Sequence, residues 1–122
     1  MTASLEIVID AVEADDAAAF WSEALGYGRR YERDPYIVLG PRSGAGPPVL
    51  IQRVDAVAPG KTPVHLDLRV DDPDAEVRRL EGLGATVAWR VDERDRGGGA
   101  WTTMTAPHGT LFCVCDARGQ SV

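Results

Sequence analysis

Val64-His-Leu-Asp-Leu-Arg-Val70 is followed at once by Asp71-Asp-Pro-Asp74. The first stretch alternates apolar and polar side chains with period two, the pattern of a strand with two unlike faces. Leu66, Leu68 and Val70 fall on one face. His65, Asp67 and Arg69 fall on the other, so an imidazole, a carboxylate and a guanidinium stand in a row. The second stretch opens a helix. Asp72 is a good N-cap, and Pro73 suits the first helical position, where its missing N–H would be unused anyway.

The same unit occurs earlier. Leu5-Glu-Ile-Val-Ile-Asp10 alternates too, with Leu5, Ile7 and Ile9 on one face and Glu6, Val8 and Asp10 on the other. Glu13 lies seven residues beyond Glu6, as Asp72 lies seven beyond His65, and each precedes a helix. The first helix has Ala17, Phe20, Trp21, Ala24 and Leu25 as its apolar stripe. The second, over 74–83, has Val77, Leu80 and Leu83. Leu25-Gly26 and Leu83-Gly84 supply matching stops.

Three short strands follow each helix. In the first half they are 28–33, 36–39 and 49–54, with a loop of Gly and Pro over 40–48. In the second they are 86–91, 100–105 and 110–115, separated by the charged, glycine-rich Asp92–Gly99 and the turn Pro107-His-Gly109. Residues 1–122 are thus expected to form a single α+β domain. Two βαβββ modules, about 4–55 and 64–116, flank a linker at 56–63. An internal repeat of this kind predicts a curved eight-stranded mixed sheet, with helices on the convex face and a concave cleft.

Composition narrows the function. The net charge is −6, and the basic residues are scattered, which argues against nucleic acid as a partner. No apolar run approaches a membrane span and no signal-peptide core opens the chain, so a cytoplasmic protein is expected. Cys113 and Cys115 sit one pleat apart on one strand, a poor geometry for a disulfide, and read as small core residues.

An ordered set of motifs carries a family resemblance. They are Ala19-Phe-Trp-Ser-Glu-Ala-Leu-Gly26, Leu50-Ile-Gln-Arg-Val54, Pro59-Gly-Lys61, His65-Leu-Asp-Leu-Arg-Val-Asp-Asp72, Leu83-Gly-Ala-Thr86 and Ala106-Pro-His-Gly-Thr110 before Phe112-Cys-Val114. Together they make the chain resemble the vicinal oxygen chelate superfamily, with its glyoxalases, ring-cleaving dioxygenases, fosfomycin-resistance enzymes and bleomycin-binding proteins. Its small glyoxalase-like domain proteins are the nearest likeness. The resemblance implies fold more than reaction, because this fold hosts unrelated chemistries.

It also implies where a metal would sit. Carried over, the ligand positions are Glu6, Gln52, His65 and Cys113. Glu6 stands where a histidine is more usual, and Cys113 where the metal enzymes place a glutamate. Glu6, Gln52 and His65 remain as a metal set suited to one divalent ion of manganese, iron, nickel or zinc, if any cofactor is bound. The plainer alternative is a His65 imidazole hydrogen-bonded to Gln52 or Glu6.

Trp101 alternates with Thr103 and Thr105, a flat apolar plate beside small hydroxyls. That composition suits an oriented small ligand, with Tyr36 on the other half of the cleft. His108 reads as an exposed turn residue. The expected ligand-binding set is therefore His65, Gln52, Glu6, Trp101, Tyr36, Thr103 and Cys113. The reading is a small-molecule-binding glyoxalase-like protein with a degenerate metal site, forming a homodimer. The alternative is a metal-dependent lyase, isomerase or dioxygenase acting on vicinal oxygens, so whether the chain is an enzyme stays open.

Overall fold

A computed structural model describes residues 3–57, 63–107 and 109–117. His108 and the linker residues 58–62 lie outside them. In chain order the elements are β1 (Ser4–Ala11), α1 (Ala14–Leu25), β2 (Tyr27–Arg33), β3 (Tyr36–Pro41), β4 (Val49–Arg53), β5 (Val64–Val70), α2 (Pro73–Gly82), β6 (Thr86–Asp92), β7 (Ala100–Thr105) and β8 (Leu111–Asp116). The class is α+β, and each half reads βαβββ as the repeat predicts. Two compact units divide between Leu5 and Glu6, inside β1, and between His65 and Leu66, inside β5; each of these strands is continuous.

In the first half the strand order is β2-β3-β4-β1. The helix returns the chain to the start of the sheet, so β2 runs with β1. Two reversals then leave β4 parallel to β1, and the two pair with Val8 beside Leu50 and Asp10 beside Gln52. Ile37, Leu39, Val49 and Ile51 point to α1 and form the core with Ala14 and Ala18. Burying a side chain such as Leu39, which is fully enclosed, contributes about 2 kcal/mol.

The expected stripe of α1 is corrected here. Phe20 is 62 % exposed and Leu25 46 % exposed, whereas Ala14, Ala18 and Ser22 are buried and Ala17 and Trp21 half-buried. The helix turns its small residues to the sheet. Phe20 instead meets the edge of Trp21, with ring centroids 5.1 Å apart. Gly26 closes the helix in the left-handed region at φ 70°, its N–H reaching the Ser22 carbonyl.

The second half has the order β5-β8-β7-β6. Its core joins Val70, Val77, Ala85, Met104 and Val114, with Leu80, Val87 and Phe112 packed around them. Helix α2 starts as its sequence requires: the Asp72 carboxylate accepts from the Ala75 N–H at 3.1 Å, and Pro73 follows. Arg79 donates twice to Glu76, at 2.7 and 2.9 Å, which holds that carboxyl below its usual range. The segment after β6 is ordered by Asp92, which accepts from the Arg94 side chain and backbone, so its carboxyl falls to about 2.

One irregularity reorients a tryptophan. On β6, Val87 pairs with Met104 but Trp89 pairs with Thr103, two residues on one strand against one on the other. This bulge moves Trp89 from the α2 side of the sheet to the opposite side.

Candidate functional site

Strand register assembles the site. His65 and Asp67 are two residues apart on β5 and so share a face. Across the parallel pairing, Cys113 of β8 stands beside Asp67. Across the next, antiparallel pairing, Thr103 of β7 stands beside Cys113, and Trp101 beside Cys115. The face turned away from α2 thus carries His65, Asp67, Cys113, Thr103, Trp101 and, through the bulge, Trp89. The side facing α2 carries Val114 and Met104 instead.

Side-chain geometry follows that order. Donor atoms of His65, Asp67 and Cys113 all lie within 4.8 Å of one another. The Thr103 hydroxyl lies 3.4 Å from the Cys113 sulfur. Thr103 is buried, while His65, Asp67, Cys113 and Trp101 are half-buried. An imidazole, a carboxylate and a thiol at this closeness form a group able to hold a metal ion.

In the first half, the face turned away from α1 carries Glu6, Val8 and Asp10 of β1. Gln52 lies beside Asp10, and Tyr36 beside Gln52, so three polar side chains cross β1, β4 and β3 in one row. Glu6 is buried. Asp10 Oδ1 is buried with no hydrogen-bond partner among the described residues. Apolar Val8, Val38 and Leu50 pack beside this row, with Tyr36 against them.

A family model described as a glyoxalase-like domain matches residues 6–115. The chain belongs to that family. Solved structures share the glyoxalase-like fold. A glyoxalase/bleomycin resistance protein/dioxygenase superfamily member from Vibrio splendidus 12B01 is 18% identical, with a TM-score of 0.63 over 94% of this chain and 99% of that one. Methylmalonyl-CoA epimerase from Mycobacterium tuberculosis is 21% identical, with a TM-score of 0.62 over 94% and 87%. The Streptomyces coelicolor epimerase, in complex with 2-nitronate-propionyl-CoA, is 16% identical, with a TM-score of 0.64 over 98% and 99%. No curated protein matches. At these identities the likeness extends to the fold alone.

Within this glyoxalase-like chain, the sequence-derived set falls into two groups. His65, Thr103, Cys113 and Trp101 come together around β5, β8 and β7. Glu6, Gln52 and Tyr36 share the polar face of the first half. Two residues were missing from that set. Asp67 was visible in the alternation of β5, but its closeness to Cys113 depends on register. Trp89 gave no signal, because its face is set by the bulge. Elsewhere, a cavity of about 470 Å³ opens at the start of α2, lined by Asp72, Arg90, Arg94, Thr102 and Asp116. There Arg94 pairs with Asp92, and Arg90 donates to the Thr102 hydroxyl at 3.1 Å.

Proposed function

We propose that this glyoxalase-like protein binds a small molecule on the polar face around His65. The observation that carries the reading is the gathering of His65, Asp67, Cys113 and Thr103 beside Trp101. The tryptophan offers a flat apolar surface to a ligand. The imidazole and hydroxyl orient its polar atoms. Glu6, Gln52 and Tyr36, on the polar face of the first half, are also assigned to ligand binding. With a net charge of −6, strongly anionic ligands gain no long-range attraction.

A second reading is favoured by the nitrogen, oxygen and sulfur donors in one group. It is a metal-dependent lyase, isomerase or dioxygenase acting on a substrate with vicinal oxygens. A divalent ion of manganese, iron, nickel or zinc would polarise those oxygens when bound. His65 would hold it, with Gln52 and Glu6 as in the family pattern, or with Asp67 and Cys113. The chain's own contribution would be to orient the substrate and to place a carboxylate where a proton is taken.

We propose that the protein works in the cytoplasm as a homodimer.

Thermal-shift screening tests the first reading. The probes are 2-hydroxy acids, catechols and acyl-CoA thioesters, the last because epimerase relatives are solved with such ligands. A probe that raises the melting temperature of the wild type but not of His65→Ala upholds it. A probe that stabilises both proteins equally counts against it.

A further inference from the structure

The second half carries a cavity on the α2 side of its sheet, behind Trp101, Thr103 and Cys113. We propose that this cavity binds an α-amino acid with a cationic side chain. Arg90 receives the carboxylate, and Asp116 and Asp74 receive the two cations. The proposal goes beyond the small-molecule reading and does not rest on it.

Register builds the cavity. Beyond the bulge of β6, Arg90 and Asp92 point to the α2 side. Arg90 stands beside Thr102 of β7, and Thr102 beside Val114 of β8, one row across three strands. In the next row Asp92 stands beside Ala100. Asp116 follows Cys115, the partner of Trp101, and so meets Ala100 from the other side. Ala100 carries only a methyl group and leaves the space between the two carboxylates open. The start of α2 adds Asp72 and Asp74 to the wall. The volume is about 470 Å³, within the range of about 300–1,000 Å³ usual for small-molecule sites.

The lining charges choose the ligand. Asp72, Asp74, Asp92 and Asp116 accompany Arg90 and Arg94, so carboxylates exceed guanidiniums by two. An anion is repelled, and a simple zwitterion leaves that excess in place. An amino acid with one further cation offsets part of it. The chain's net charge of −6 draws such a ligand from a distance.

Each ligand group has a place. Asp92 holds Arg94 through contacts of 2.6 and 2.9 Å, which leaves Arg90 as the guanidinium for the carboxylate. Arg90 is anchored from beneath, where its Nη1 donates at 3.1 Å to the hydroxyl of the buried Thr102. That bond fixes the plane of a fork with further N–H donors, which a carboxylate accepts in parallel. Asp116 takes the α-ammonium. A carboxylate has about four acceptor sites, so partners within the chain do not exhaust it. Asp74, exposed at the mouth, takes the side-chain cation. Val114 and Ala100 form an apolar floor under the methylenes.

The test is calorimetric titration of the full-length protein with L-lysine, L-arginine, agmatine and L-leucine. Lysine and arginine are expected to bind. Agmatine lacks the carboxylate and leucine the second cation. Each should bind at least about tenfold more weakly, the worth of one hydrogen bond to a charged group. Arg90→Gln should weaken lysine by a similar factor and leave agmatine unchanged, which also shows that the variant is folded. Asp116→Asn should weaken both. Amide chemical shifts on lysine addition should move at Arg90, Thr102 and Asp116. No binding of lysine or arginine by the wild type, equal affinity for leucine and lysine, or equal losses of lysine and agmatine in Arg90→Gln would each overturn the proposal. So would lysine-induced shifts confined to the opposite face of β7 and β8.

Discussion

Asp67 and Cys113 stand side by side in the parallel pairing of β5 and β8, and their donor atoms lie within 4.8 Å of each other and of His65. Asp67→Asn keeps the shape and removes the charge. On the metal-dependent reading, zinc affinity of chelator-treated protein should fall by more than about 100-fold, beyond what an outer-shell change costs. Calorimetric titration checks it, and an unchanged affinity would remove Asp67 from the site.

Trp101 and Trp89 flank the same face, which gives the ligand reading an optical signal. Binding should change tryptophan fluorescence. Trp101→Ala should weaken binding about 3–10-fold, the worth of one aromatic contact. Trp21, on α1, makes no part of this face, so Trp21→Phe should leave the fluorescence response in place.

The packing of α1 makes a paired prediction. Ala18 is fully buried against Ile37 and Leu39, while Phe20 is 62 % exposed. Ala18→Leu should cost about 1–3 kcal/mol by overpacking. Phe20→Ser should cost about 1 kcal/mol or less, a surface-scale effect. Urea unfolding of the two variants measures the difference, and the reverse order would restore the stripe expected from sequence.

The Glu76–Arg79 pair sets a pH dependence. Hydrogen bonds from Arg79 lower the Glu76 carboxyl below its ordinary 4.5, against the opposing effect of burial. The folded value lies below the unfolded one. The stabilisation is therefore whole above the unfolded value and is lost as pH falls through the folded one. Glu76→Gln should lower stability by about 1 kcal/mol at neutral pH, a modest figure because Arg79 is solvent-exposed. The gap between wild type and variant should narrow as the solution is acidified below the ordinary carboxylate range.

Much of this was legible in the sequence. The two alternating strands, their polar faces and the caps at Asp72 and Gly26 follow from period and local chemistry, and these fix the βαβββ repeat. Alternation puts His65 and Thr103 on polar strand faces, whereas Cys113 reads as a small core residue and enters the set only through the family resemblance. The rest could not be read, including the exposure of Leu83, which the α2 stripe was expected to bury and which stands 65 % exposed. The α1 stripe was ambiguous because alanines fit either side of a helix, and only close approach to the sheet selects Ala14 and Ala18 over Phe20. The face of Trp89 depends on one extra residue in β6, which reverses every side chain beyond it and leaves the alternation itself unchanged.

The account turns on which face holds the ligand. Amide chemical-shift mapping during titration of the first stabilising probe decides this directly. The expected result is perturbation centred on His65, Asp67, Thr103 and Cys113. Perturbation centred instead on Asp72, Arg90 and Arg94, at the cavity beside α2, would contradict it.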